Sequence, residues 1–230
     1  VAVVTVENLE GLIRQGLPRL GVDGLDEGLP GRLAAYAQEL LKWNERVNLT
    51  AITEPGQVVE KHLLDSLAAL PELDATGARR VLDLGAGAGL PGLVWALARP
   101  ALELTLVDAV AKKVSFMKAT AARLGLAPRV RAVHLHLRGA PDAEGLPRAE
   151  LVASRAFMDL EAWLAMASPY VTSDGVILAM TGRHASEAEY QRVSAVSRCR
   201  RVSVRQFHLP LSGDERGVSV WRREAGLGPG

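Results

Sequence analysis

The chain has 230 residues, 48% of them hydrophobic and 23% charged, with a net charge of +1 at pH 7. This is one medium domain, or one domain with a modest extension, and its near-neutral charge does not by itself announce a nucleic-acid binder. No apolar run approaches the about 20 residues that span a bilayer, no basic leader precedes an apolar core, and Cys199 stands alone, so a cytoplasmic protein with no disulfide, no metal site and no membrane contact is expected.

Residues 1–31 are acidic and interrupted by Gly16, Pro18, Gly21, Gly24, Gly28 and Pro30, which supports only short helical pieces. From Arg32 the apolar positions Leu33, Tyr36, Ala37, Leu40 and Leu41 share one helical face, and the pattern stops near Asn44 to Asn48. The run WNERVNLT that follows places Trp43, Asn44 and Asn48 where a plain connector has no need of them. A second helix is predicted over Glu54 to Leu70, with His62 and Asp65 three residues apart on one face. That pair is read either as a substrate-facing group or as a local hydrogen-bonded pair holding two helices together.

The segment RRVLDLGAGAGLPGLVWALARP, Arg79 to Pro100, spells out chemistry. Val81, Leu82 and Leu84 read as a buried parallel strand, and Pro91 is placed in the first turn of a helix that runs on through Ala98. Between them Gly85, Gly87 and Gly89 allow a sharp turn and close approach of a ligand to bare backbone. A dinucleotide site has the spacing G-x-G-x-x-G, whereas Asp83 opens a D-x-G-x-G-x-G pattern here. A carboxylate at the strand tip repels a pyrophosphate and attracts an ammonium, so the corner favours S-adenosylmethionine. A second strand, Leu102 to Val107, ends at Asp108, about 20 residues beyond the first loop, where an acid accepts from ribose hydroxyls. Asp108 is also read as the N-cap of a helix over Val110 to Leu124.

A third strand is predicted over Arg129 to Leu137, with Arg138, Gly139 and Ala140 at its exit, and a fourth over Glu150 to Ser154, with Arg155 at its carboxyl end, in the crevice where open sheets bind ligands. Helix Asp159 to Tyr170, strand Gly175 to Met180 and helix Ala185 to Ser197 follow. The last two strands, Arg201 to His208 and Gly217 to Arg222, are joined by a segment short enough for an antiparallel hairpin. Arg198, Arg200, Arg201 and Arg205 are read either as a phosphate-facing edge or as charge that blunts an edge strand. The pattern is α/β: a helical cap over residues 1–78, five βα units with a terminal hairpin over residues 79–224, and a tail, residues 225–230, disordered by composition.

WNERVNLTAIT, KHLLDSL, DLGAGAGLPG, LTLVDAVAKKVSFM and SRAF together resemble the glucose-inhibited division protein B family, the guanine-N7 methyltransferases of 16S ribosomal RNA. The resemblance runs collinearly from about Leu40 to Leu160. It implies a class I S-adenosylmethionine-dependent fold, Rossmann-like, with a mostly parallel seven-stranded sheet, and methyl transfer to a guanine of the decoding region, with the small ribosomal subunit as partner. By the family's pattern Gly85 and Leu90 line the methionyl side of the cofactor, Gly139 and Ala140 the adenine side, and Arg155 the mouth of the active site. Asn48, His62, Asp65 and Arg183 are the candidate substrate contacts. The chain departs from the pattern at three places. Arg138 is followed by Gly139 and Ala140 where relatives carry an acid, with Asp142 as the candidate substitute; Thr181, Gly182 and Arg183 stand where Lys-Gly is common; and a basic pair is reduced to Arg216 and Gly217. These departures keep two other readings open, a small-molecule methyltransferase and a non-catalytic binding protein that retains the fold.

Overall fold

The computed structural model describes residues 5–155, 158–182 and 185–224. Arg183 and the tail, about which expectations were stated, lie outside the described residues.

The chain begins with α1, Val6–Gly16, whose first turn is capped by Thr5 accepting from the amide of Asn8. This three-turn helix is longer than the short pieces expected. Leu9 and Ile13 give it a buried stripe, and Glu10 pairs with Arg14 one turn on at 2.6 Å. Gly16 ends it where a Cβ would lie 2.3 Å from Leu64, so the glycine is what permits the close approach. The long helix α2, Leu29–Val47, buries Leu33, Tyr36, Ala37 and Leu40 and ends at Asn48, which adopts the left-handed conformation that stops a helix (φ 50°).

The helix predicted over 54–70 is one helical path made of unlike pieces. Glu54 caps α3, Pro55–Val58; a π-helical stretch covers Val59–Leu64; α4, Asp65–Ala68, and α5, Leu70–Thr76, complete it. The wider π turn carries His62 at the point where the cap meets the sheet.

Next come β1 (Arg80–Leu84), α6 (Gly92–Ala98), β2 (Glu103–Asp108), α7 (Ala111–Arg123), β3 (Val130–His134), a single turn α8 (Pro141–Glu144), β4 (Ala149–Arg155), α9 (Leu160–Ala167), β5 (Val171–Thr181), α10 (Glu187–Ser197), β6 (Cys199–His208) and β7 (Glu215–Arg223). The seven strands form one sheet in the order β3-β2-β1-β4-β5-β7-β6, with β1 to β5 parallel and β7 antiparallel to both its neighbours. Pro91 sits just ahead of α6 rather than in its first turn. β3 is shorter than predicted because its partner β2 ends at Asp108, opposite His134. After Leu135 donates to the Asp108 carbonyl, the alternation His-Leu-His-Leu continues in sequence with no strand to pair with.

One face of the sheet, through Leu104, Leu106, Leu151 and Leu178, shares a continuous apolar core with α6, α7 and the cap helices. The other face, through Leu82, Val152, Ile177 and Trp221, packs on Trp163, Leu164, Tyr170 and Tyr190. Polar contacts fasten the cap to the terminal hairpin as well. Glu60, buried, accepts from the amides of Leu211 and Ser212 at 2.7 and 2.5 Å, Lys61 pairs with Asp214 at 3.1 Å, and Arg205 pairs with Glu72 at 2.6 Å. Among the described residues no helix is long and apolar enough to cross a membrane.

Candidate active site

Strand order reverses at β1, which has β2 on one side and β4 on the other, so a crevice opens above its carboxyl end. The glycine corner occupies that crevice. Gly85, Gly87 and Gly89 all take left-handed conformations, with φ of 71°, 58° and 84°, which residues bearing a side chain rarely adopt. The corner is tied down from several directions. The amides of Gly85 and Ala86 donate to the carbonyl of Val107, that of Gly87 donates to Asp108 Oδ2 at 2.8 Å, and Tyr36 Oη donates to the carbonyl of Ala88 at 2.6 Å.

The two acids do different things. Asp108 receives Gly87 on Oδ2 and the amide of Val110 on Oδ1 at 2.8 Å, so it links the glycine turn to the β2 exit. It is not the cap of α7, whose N-cap position is Val110. Asp83 is fully buried beneath the turn. Its Oδ2 accepts from Gly92 at 2.9 Å and its Oδ1 has no hydrogen-bond partner among the described residues. Burial pushes the Asp83 carboxyl up to about 7, against the opposing effects of the Gly92 amide and Arg155. An unpartnered carboxylate oxygen under a turn of bare backbone fits a cationic methionyl end above it.

A cavity of about 470 Å³ opens beside the corner, lined by Gly85, Asp108, Lys113, Leu135 to Leu137, Arg155 and Met166. Its size suits a nucleoside cofactor. A second cavity, about 330 Å³, lies between Arg80, Thr105 and Arg129 near the amino ends of the strands, away from the crevice where open sheets bind ligands. Leu90, expected beside the cofactor, packs into the core at 4% exposure. Gly139 and Ala140 lie two and three residues beyond the lining stretch, and Gly139 is left-handed (φ 76°). Asp142, the candidate substitute for the missing acid, is instead paired with Arg148 at 2.8 Å on the surface.

Arg155 closes the cavity on the cap side. Its Nη1 donates to the carbonyl of Lys61 at 2.6 Å and to Asp65 Oδ2 at 3.2 Å, and its Nη2 lies 3.1 Å from His62 Nδ1. His62 Nδ1 lies 3.1 Å from both Arg155 Nη2, which only donates, and the carbonyl of Lys61, which only accepts, and His62 Nε2 lies 2.8 Å from Thr50 Oγ1. Burial, aided by Arg155, lowers the His62 imidazole to about 4, so it is neutral. Asp65, at 5% exposure, has its second oxygen 3.7 Å from Arg216. Burial raises Asp65, and the two arginines oppose that rise. His62, Asp65 and Arg155 therefore meet in one buried network, in which His62 and Asp65 are joined through Arg155.

The neighbouring WNERVNLT run has structural uses. Trp43 packs edge-on against Phe116 at 5.6 Å, and Asn44 bonds both the amide and the carbonyl of Thr50 at 2.9 Å. Asn48 is exposed at the helix end. Of the arginines near β6, Arg201 pairs with Glu187 and Arg205 with Glu72, leaving Arg198 and Arg200 exposed. Sequence reasoning missed Tyr36, Gly92, Tyr170 and Glu144. Only Gly92 carried a signal, as one more glycine directly after the D-x-G-x-G-x-G corner.

A parallel sheet reversing at β1, a glycine corner between two strand-end acids and an antiparallel β7 define a class I S-adenosylmethionine-dependent methyltransferase. Solved structures agree on the fold. A geranyl diphosphate C-methyltransferase from Streptomyces coelicolor superimposes with a TM-score of 0.55 at 17% identity, covering 82% of this chain and 98% of that one. TrmN from Thermus thermophilus does so with 0.54 at 18% identity, covering 72% and 53%.

Residues 31–215 match the GidB family profile, described as rRNA small subunit methyltransferase G, and the chain belongs to that family. It is 52% identical over 215 residues to a protein of Myxococcus xanthus named ribosomal RNA small subunit methyltransferase G, covering 94% of this chain and 97% of that one. A protein of the same name from an Anaeromyxobacter species is 49% identical over 210 residues, covering 91% and 95%.

Proposed function

We propose that this protein transfers the methyl group of S-adenosylmethionine to N7 of a guanine in 16S ribosomal RNA, acting in the cytoplasm on the small ribosomal subunit or its RNA. The observation that carries the reading is the placement of Arg155, a wall shared by the cofactor cavity and the cap network. Family membership, with 52% identity across most of the chain, favours this reading over a small-molecule enzyme or a protein without activity.

When bound, S-adenosylmethionine supplies an electrophilic methyl group. Asp83 and the glycine corner would hold its methionyl end, and Asp108 would receive the ribose. Guanine N7 has a lone pair in the ring plane and no hydrogen, so no side chain has to remove a proton. The chemistry at hand agrees: His62, the imidazole of the cap network, is already engaged on both nitrogens. What the residues supply is alignment, which in well-oriented systems can contribute ~7–11 kcal/mol. Arg155, fixed by three cap groups, would hold the purine, or a phosphate next to it, so that N7 is presented to the cofactor, and its planar fork suits either. Asn48, His62, Asp65 and Arg183 belong to the substrate side in this reading, His62 and Asp65 through Arg155.

The test is transfer of tritiated methyl to small subunits from a strain lacking this gene, followed by mapping of the labelled base. Label at N7 of one guanine is expected. Label on an exocyclic amino group, or none, would overturn the proposal.

A further inference from the structure

The wall of the cavity that leaves β3 is shaped by residues outside it. Leu135, His136 and Leu137 line the cavity, and the next two amides bond to Glu144 and Tyr170, neither of which lines it. The amide of Arg138 donates to Glu144 Oε1 at 2.5 Å, and that of Gly139 donates to Tyr170 Oη at 2.9 Å. Tyr170 Oη in turn donates to Glu144 Oε2 at 2.5 Å. Tyr170 is fully buried, and burial with the Glu144 carboxylate pushes its hydroxyl up to about 12, which keeps it a donor at any physiological pH. One carboxylate and one phenol therefore fix two consecutive peptide groups.

In a trans peptide the N–H and C=O point in opposite directions. Drawing the amides of Arg138 and Gly139 toward Glu144 and Tyr170 turns the carbonyls of Leu137 and Arg138 the other way. We infer that Tyr170 and Glu144 are positioning residues that aim these two carbonyls at the nucleobase of the cofactor, where they accept from the exocyclic amino group of adenine. The acid next along the chain, Asp142, is committed to Arg148 and takes no part in this. The inference rests on the cofactor reading of the cavity and adds to it the source of base selectivity. A 6-amino purine donates to such carbonyls, and a 6-oxo purine presents an acceptor and is repelled.

The test is calorimetric binding of S-adenosylhomocysteine and S-inosylhomocysteine to wild type, Tyr170→Phe and Glu144→Gln. Wild type is expected to prefer the adenosyl ligand at least about tenfold, since a site built to bond a group leaves its own polar atoms unpaired without it. Tyr170→Phe is expected to lose about tenfold for the adenosyl ligand and little for the inosyl one. Glu144→Gln, which retains one acceptor, should fall between. Hydrogen exchange at the Gly139 amide should quicken in both variants. Equal loss for the two ligands, or unchanged discrimination in both variants, would overturn the inference and leave the cofactor assignment standing. Failure of the wild type to bind S-adenosylhomocysteine would instead remove the cofactor reading beneath it.

Discussion

Tyr36, in the middle of α2, donates its hydroxyl to the carbonyl oxygen of Ala88 at 2.6 Å, so a helix of the cap holds the glycine corner of the sheet domain. The tyrosine is fully buried and stacks on Phe116 with ring centroids 6.4 Å apart, which leaves the hydroxyl little freedom to point elsewhere. Tyr36→Phe keeps the packing and strands one buried carbonyl. An unsatisfied buried acceptor costs about 1–3 kcal/mol, so urea denaturation should show a loss of that order. Because the freed carbonyl belongs to the glycine turn proposed to hold the cofactor, affinity for S-adenosylmethionine should fall several-fold. Unchanged affinity alongside lowered stability would show that the bond only staples the cap.

In the proposed function Arg155 aligns the substrate and leaves cofactor holding to the glycine corner. Among the described residues, Arg155→Ala leaves Asp65 with Arg216 as its ion-pair partner, at 3.7 Å, and takes from His62 Nδ1 its contact with the guanidinium. Breaking a buried ion pair typically costs about 3–5 kcal/mol, and the 17% exposure of the Arg155 side chain puts the expected loss at the lower end. Methyl transfer should fall by about 10²-fold or more, the scale of a misplaced reacting group, while the dissociation constant for S-adenosylmethionine changes by less than about threefold. Parallel losses in both would refute a role on the substrate side.

Most of this architecture was legible because parallel strands and their helices leave period and punctuation in the sequence. The corner from Asp83 to Gly89, the acid at Asp108 and the arginine at Arg155 stand where a strand has to end. What was hidden depends on contacts between segments far apart in sequence. Tyr36 looks like one more apolar position on a helical face, and its hydroxyl acquires a use only once Ala88, 52 residues away, is brought beneath it. Tyr170 and Glu144 give no pattern at all, since they act on the backbone of the loop. The third strand was overextended because alternation reports side-chain faces and says nothing of where the neighbouring strand stops.

Gly92 supports Asp83 from above. A Cβ at this position would lie 2.8 Å from Asp83 Oδ2 and 2.3 Å from Leu106 Cδ2, against a carboxylate that is itself packed without exposure. Gly92→Ala should cost about 1–3 kcal/mol by overpacking and should push Asp83 off the amide it accepts from. Calorimetry is expected to show S-adenosylmethionine binding weakened at least tenfold. A variant that binds normally would mean that Leu106 yields and that the Gly92 bond to Asp83 does not matter to the cofactor.

Two buried groups titrate against each other. The folded His62 is lowered from 6.5 to about 4, so between those values the unfolded chain holds a proton that the folded one does not, and stability from this group is lost as pH falls through the window. The folded Asp83 is raised from 3.8 to about 7, so its contribution is full below 3.8 and is lost as pH rises toward 7. Each slope is about 1.4 kcal/mol per pH unit at most, with opposite sign, and over most of their shared range they offset. Removing one should expose the other. His62→Gln is expected to gain stability relative to wild type as pH falls from about 6.5 to 4, and Asp83→Asn to gain relative to wild type as pH rises from about 4 to 7. Urea denaturation at intervals across this range reads both differences directly. Variants that track the wild type in parallel would show that neither group changes its protonation between folded and unfolded states, and with that the neutral His62 at the centre of the Arg155 network would be withdrawn.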